Sequence, residues 1–174
     1  MSKNYYSNTT SFKGLSSIYF NSILKNIIKI GKLDIKNVTI LDFGCGKKQL
    51  DKLLFNKKIL NYDIKKEYSE YDDYKILKFD IVVANHVLMY LDKREIIEFF
   101  TNIKKINNDC EIIIGIAKVN WLSKLAKYLL LNFNAHKNII SSYNTQLEII
   151  KKYTKIISKK NIFFSTDIFY TKLK

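Results

Sequence analysis

The chain has 174 residues, 47% of them hydrophobic, and its 30 basic and 16 acidic side chains leave a formal net charge of +14. That length supplies one complete core and too little for two substantial domains. Proline is absent, which excludes collagen-like segments, polyproline linkers and every active-site motif that needs a proline.

A Tyr-, Asn- and Ser-rich arm opens the chain, and Tyr19 to Ile30 predicts an amphipathic helix. Residues 1–37 therefore read as an arm and helix capping the site of a single main domain at 38–174. Val38 to Phe43 is a β-branched run that ends in Gly44-Cys45-Gly46, a strand followed by a tight turn. Gln49 to Phe55 carries Leu50, Leu53 and Leu54 at helical spacing, and Lys58 to Asp63 predicts a second short strand. Phe79 to Ala84 is nearly all apolar, as a strand covered on both faces must be. Arg94 to Ile106 predicts a helix with Lys104 and Lys105 near its end, where cations suit the dipole. Cys110 to Ala117 is another buried strand. Trp121 to Leu131 is amphipathic, and Ile139 to Tyr153 predicts a helix. Two β-rich runs, KIISKKNIFF and DIFYTKL, meet near Ser165-Thr166-Asp167 as a terminal antiparallel hairpin. The order predicts an α/β, mostly parallel, doubly wound sheet with that hairpin at its C-terminal edge.

The chemistry concentrates at Leu41 to Gln49, LDFGCGKKQ. Two glycines one residue apart after a buried strand let the backbone turn sharply and approach a ligand. A dinucleotide fingerprint would place a third glycine where Gln49 stands, and nothing matches a Walker loop. Asp42-Phe43-Gly44-Cys45-Gly46 instead resembles the first motif of the class I, Rossmann-like S-adenosylmethionine-dependent methyltransferases, small-molecule and glycan-tailoring types among them. Asp63, seventeen residues after Gly46, stands where that family keeps the acid that accepts both ribose hydroxyls, and Phe79 to Leu88 resembles its fourth-strand motif. The terminal hairpin matches the antiparallel strand of the family sheet.

The resemblance implies S-adenosyl-L-methionine as cofactor. It implies a cofactor set of Asp42, Phe43, Gly44, Cys45, Gly46, Asp63, Ile64 and Asn85. Two departures stand out. Lys48 occupies the place of the family's third glycine, where it either crowds the methionine end of the pocket or points into solvent. Only fifteen residues separate Asp63 from Phe79, too few for the usual crossover, so the fold is compressed around the third strand. Asp72 and Asp73 are the acids there that either read the adenine amino group or form a solvated turn.

The missing prolines disfavour methyltransferases of adenine N6, cytosine N4 and glutamine amides, which the family marks with Asn/Asp-Pro-Pro-aromatic where this chain has Asn85-His86-Val87-Leu88. Neither Cys45 nor Cys110 sits where a cytosine C5 enzyme keeps its nucleophile. Asn85 to Leu91 looks like small-molecule methyltransferases, and the resemblance places His86 at the sulfonium end. There it is either a general base for an acceptor hydroxyl or a packing and capping residue. His136 is a second candidate or a surface loop residue. No zinc spacing occurs, and no metal is expected.

The acceptor pocket is expected beyond the carboxyl ends of the strands, between the N-terminal arm and the segment after the fifth strand. Tyr5, Tyr6 and Phe12 form either part of a lid or an inert tail. The Trp121 helix either covers the sheet or touches a membrane. The expected reaction is methyl transfer to a small-molecule or glycan acceptor at oxygen, with RNA methylation or an inactive cofactor-binding partner subunit as alternatives. Charge favours nucleic acid, but Arg94 is the only arginine, and the lysine, asparagine and isoleucine bias is that of an AT-rich genome. With two distant cysteines and no apolar run of ~18 residues, a reduced, cytoplasmic protein is expected.

Overall fold

The structure, a computed structural model, describes residues 14–118 and 139–174. The arm residues Tyr5, Tyr6 and Phe12, the Trp121 helix and His136 lie outside the described residues. The elements in chain order are α1 (Gly14–Gly31), β1 (Thr39–Phe43), α2 (Gln49–Leu53), β2 (Lys58–Tyr62), β3 (Ile81–Asn85), α3 (Lys93–Ile106), β4 (Glu111–Ala117), α4 (Tyr143–Tyr153), β5 (Thr154–Ile162) and β6 (Thr166–Leu173). They build one six-stranded sheet in the order β2-β1-β3-β4-β6-β5. The first four of these strands run parallel, and β6 is antiparallel to both β4 and β5.

Strand alternation divides the core in two. Leu41, Phe43, Val82, Ala84, Ile112 and Ile114 pack on one face against Ile96, Phe99, Phe100 and Ile103 of α3 and Ile149 and Ile150 of α4. Ile40, Ile81, Val83, Ile113 and Ile168 face Ile23, Leu24 and Ile27 of α1 and Leu50 of α2. Helix α3 starts where a capping box fixes it: Asp92 Oδ1 accepts the Glu95 N–H at 2.9 Å, and Glu95 Oε2 accepts the Asp92 N–H at 2.7 Å. Such a cap contributes about 1 kcal/mol.

Several boundaries differ from the sequence expectation, the first helix beginning at Gly14 among them, and three differences concern the C-terminal half or an exposed aromatic. Helix α4 begins at Tyr143 rather than Ile139, because Ser142 caps it and the Ile140 and Ser141 N–H groups both donate to Met89 O. Helix α2 ends at Leu53, and Phe55, placed in that helix by its spacing, is 80% exposed. Strand β5 stops at Ile162, so Phe163 and Phe164 form the turn and not the strand.

No strand forms between β2 and β3. Residues 63–80 hold one 3-10 turn, Tyr74–Ile76, and otherwise irregular backbone. This segment folds back on the β2 edge: the Glu70 N–H donates to Asn61 O at 2.9 Å, and Ser69 Oγ accepts the Asp63 N–H at 3.1 Å. A short connection thereby covers a strand edge that would otherwise be open to pairing.

Candidate functional site

The chain leaves β1 for β2 on one side and returns to β3 on the other, so the crevice between the ends of β1 and β3 is a topological switch point, where open α/β sheets bind ligands. Gly44 and Gly46 stand there with φ of +80° and +49°. A Cβ on Gly44 would lie 2.6 Å from Val87 Cγ2, so only glycine lets the loops after β1 and β3 meet. Lys48, in place of a third glycine, also adopts a left-handed conformation, with φ +56°. Its ammonium neither enters the crevice nor stays in solvent alone: it pairs with Glu70 Oε1 at 2.8 Å.

On the α1 face, alternation carries a polar row across the ends of the strands. Asp42 of β1 is in register with Asn61 of β2 and Val83 of β3. Asp42, Asn61 and Asp63 are all buried. Asp63 holds the loop: its Oδ2 accepts the Gly46 N–H at 2.9 Å and its Oδ1 the Lys65 N–H at 2.9 Å. A carboxylate oxygen has two lone pairs, so one that accepts a backbone N–H can accept a hydroxyl as well. Asn61 Nδ2 donates to Asp51 Oδ2 at 3.2 Å and to Glu70 Oε1 at 3.1 Å.

Asp42 differs from its neighbours in electrostatics. Burial pushes its carboxyl up to about 7, and the charges of Asp63 and Asp51 add to the shift. Such a site favours a cationic ligand, which would stabilise the ionised form. Asn85 carries a second sign of a waiting partner. Its Oδ1 is buried with no hydrogen bond among the described residues. It lies where a Cβ on Gly115 would be 2.3 Å away, so Asn85 fits only because β4 has a glycine at that point. Gly115 was not among the sequence candidates, although a lone glycine inside CEIIIGIA marks a close approach.

The other expected cofactor residues divide. Phe43 turns its ring to the opposite face, where it packs on Tyr62, Tyr74 and Phe99, so only its backbone borders the crevice. Cys45 is buried with its Sγ 3.5 Å from Tyr68 O, and burial raises its thiol well above the ordinary value. Cys110, also buried, is pushed up to about 12. Both remain thiols. Ile64 follows Asp63 and is 61% exposed, an apolar surface beside the acid. Asp72 pairs with Lys66 at 3.2 Å on the surface, and Asp73 caps the 3-10 turn through the Lys75 N–H.

His86 follows β3 with φ +56°, and its N–H donates to Gly115 O at 2.8 Å. Its Nε2 lies 3.0 Å from Thr166 Oγ1, which in turn is 2.7 Å from the Tyr19 hydroxyl. Ser165 Oγ donates to Tyr19 at 3.0 Å, and Phe20 meets the imidazole edge-on. Thr166 and Tyr19 were also missed from sequence: Thr166 is 80 residues from His86, and only the antiparallel return of β6 brings them together. No group of three or more His, Cys, Asp or Glu side chains able to hold a metal occurs among the described residues. No described helix is long and apolar enough to cross a membrane.

No family model matches the chain, and no curated protein matches it either. Solved structures do. A protein of Pyrococcus horikoshii OT3 superposes with a TM-score of 0.71 at 13% identity, over 98% of this chain and 97% of that one. The magnesium protoporphyrin IX methyltransferase of Synechocystis PCC 6803, solved with bound S-adenosylhomocysteine, gives 0.60 at 13% identity, over 97% and 91%. The N-methyltransferase NodS of Bradyrhizobium japonicum WM9, also in complex with S-adenosylhomocysteine, gives 0.62 at 11% identity, over 89% and 87%. The chain therefore has the Rossmann-like fold of the S-adenosylmethionine-dependent methyltransferases.

Proposed function

We propose that this chain is an S-adenosylmethionine-dependent methyltransferase that acts on a small-molecule or glycan acceptor at oxygen. The observation that carries the reading is the buried Asp42, which has no hydrogen bond or ion pair among the described residues, beside Asp63 at the switch point of a methyltransferase fold. An uncompensated carboxyl in the interior is costly unless a cation arrives to pair with it. S-adenosylmethionine brings an ammonium and a sulfonium together with a ribose diol, and the row supplies a partner for each type of group. Asp63 would accept the ribose hydroxyls, the Gly44 to Gly46 backbone would bound the pocket, Ile64 would cover an apolar ring face, and Asn85 Oδ1 would take a donor.

When bound, the cofactor supplies an electrophilic methyl group. The protein's part is to orient the acceptor and remove its proton. His86 stands beyond the carboxyl end of β3, where an imidazole can take a hydroxyl proton. With Nε2–H donating to Thr166 Oγ1, the basic nitrogen is Nδ1, and the Tyr19 hydroxyl fixes Thr166 from the other side. Positioning contributes more of the rate than the base does.

The test is transfer of a labelled methyl group from S-adenosylmethionine to small-molecule, glycan and RNA fractions of a cell extract. The reading expects label in the small-molecule or glycan fraction, with His86→Ala lowering turnover about tenfold while cofactor affinity is retained. Label in RNA alone overturns the acceptor class. Tight cofactor binding with no transfer until a partner chain is added identifies an inactive cofactor-binding subunit instead.

A further inference from the structure

Strand β2 ends the sheet on one side, so the outward N–H and C=O of Asn61 have no neighbouring strand to bond. Glu70, nine residues further on, takes both. Its N–H donates to Asn61 O at 2.9 Å, and its Oε2 accepts the Asn61 N–H at 3.4 Å. Its Oε1 accepts from Asn61 Nδ2 at 3.1 Å, and the same oxygen accepts from Lys48 Nζ at 2.8 Å. One side chain thereby joins the open edge of β2 to the glycine turn after β1. Partial burial opposes its charge, but the hydrogen bonds from Lys48 and Asn61 hold the carboxyl below its ordinary value, so it is ionised at neutral pH.

The turn that Lys48 belongs to has much freedom to lose. Gly44, Gly46 and Lys48 all have positive φ, of +80°, +49° and +56°, and glycine is the residue with the most backbone freedom in the unfolded chain. Glycine would also suit the third of these positions, since a residue with a Cβ rarely adopts left-handed backbone. Lysine stands there instead. Its ion pair with Glu70, whose two side chains are 32% and 38% exposed, is of a kind that contributes little to stability. Strained backbone held for so little stability points to what the lysine side chain reaches. Asp63 already holds the turn at the Gly46 N–H, and Glu70 holds it again two residues later. We infer that Glu70 is a positioning residue that, through Lys48, clamps the glycine turn in the shape that receives the ligand, in place of the strand this fold lacks beside β2. A turn fixed before binding has less ordering entropy to lose when the ligand arrives. That the ligand is S-adenosylmethionine rests on the methyl-transfer reading, whereas the clamp does not.

The experiment joins amide hydrogen exchange of the full chain without cofactor to calorimetric titration of S-adenosylmethionine. The exchange probes are the N–H groups of Gly46 and Lys48, which donate to Asp63 Oδ2 and Cys45 O. Glu70→Gln keeps an oxygen for Asn61 and removes the charge that Lys48 pairs with. Lys48→Gly removes the ammonium and suits the left-handed backbone. Each variant should speed exchange at the turn about tenfold relative to the amides of β3 and weaken cofactor binding about fivefold to tenfold. The melting temperature of Lys48→Gly should nevertheless stay level or rise, which separates a loosened turn from a weakened fold. With both substitutions present, the loss of affinity should be about that of Lys48→Gly alone, because Glu70 acts through the lysine. Unchanged exchange at the turn, unchanged affinity in either variant, or losses that add in the double variant overturn the proposal. Faster exchange in both variants of a chain whose wild type does not bind S-adenosylmethionine supports the clamp and counts against the methyl-transfer reading.

Discussion

Two aspartates in this molecule are both buried and opposite in chemistry. Asp42, at the end of β1, is 6% exposed, and its carboxyl is pushed up to about 7. Asp167, at the start of β6, is fully buried and held far below the usual carboxylate range. Burial raises both. At Asp167, hydrogen bonds from Lys159, Tyr143, Asn161 and Lys118, all between 2.5 and 2.9 Å, more than reverse it. At Asp42 the neighbouring charges are Asp63 and Asp51, which raise it further. A buried acid with four partners belongs to the fold, since it ties β5, β6 and α4 to the residue after β4. A buried acid among other acids has burial and like charge both against its ionised form, so it is where a bound cation would gain most, and it lies in the half of the sheet that carries the glycine turn.

Substitutions sharpen that contrast. The largest effect is expected at Asp63, whose removal frees the Gly46 loop and, on the proposed function, takes the ribose acceptor with it. Asp63→Ala should weaken S-adenosylmethionine binding at least about a hundredfold in calorimetry; unchanged affinity would break the cofactor assignment. Asp167→Asn should instead destabilise the chain by about 2–4 kcal/mol in urea unfolding and leave cofactor affinity within about twofold. Its depressed carboxyl contributes stability that is fully present above the unfolded value near 4 and is lost as pH falls toward the folded one.

Asp42→Asn should move the other way. Folded Asp42 keeps a proton that the unfolded chain releases, so its contribution falls as pH rises from about 4 to about 7 and is flat above. The variant should gain about 1–2 kcal/mol at pH 8, gain little at pH 4, and bind the cofactor about tenfold more weakly. A loss of stability at pH 8 would place Asp42 with Asp167 as a structural acid. The smallest effect is expected from Tyr19→Phe, which removes one end of the hydroxyl chain to His86. Turnover should fall about twofold to fourfold, and the His86 imidazole resonances should shift in a nuclear magnetic resonance pH titration. A merely structural tyrosine would leave that titration unmoved.

Legibility followed sequence distance. The strand, the glycine turn and Asp63 lie within one βαβ unit, so the pattern of LDFGCG and the spacing to the acid sufficed to bring the turn and Asp63 together. The compression there was legible as fifteen residues too few for a full crossover, and the structure goes further, with no strand between β2 and β3. What escaped depends on contacts between distant segments. Asp167 reads as a turn residue until β4, α4 and β5 bring four partners to it. Thr166 reads as a turn residue until β6 sets it against His86, and Gly115 as a weakness in a buried strand until Asn85 fills its space. Phe163 and Phe164 read as strand because nothing in their identity signals left-handed backbone, and Lys48 conceals the same conformation for the same reason.

The most direct test of the proposed cation pairing at Asp42 is calorimetric titration of S-adenosylmethionine into the protein at about pH 6 in two buffers of different ionisation enthalpy. Binding should ionise a carboxyl that is mostly protonated in the free protein, so a large fraction of one proton should pass to the buffer, and Asp42→Asn should abolish that release. Binding with no proton exchange, or no binding at all, would contradict the account.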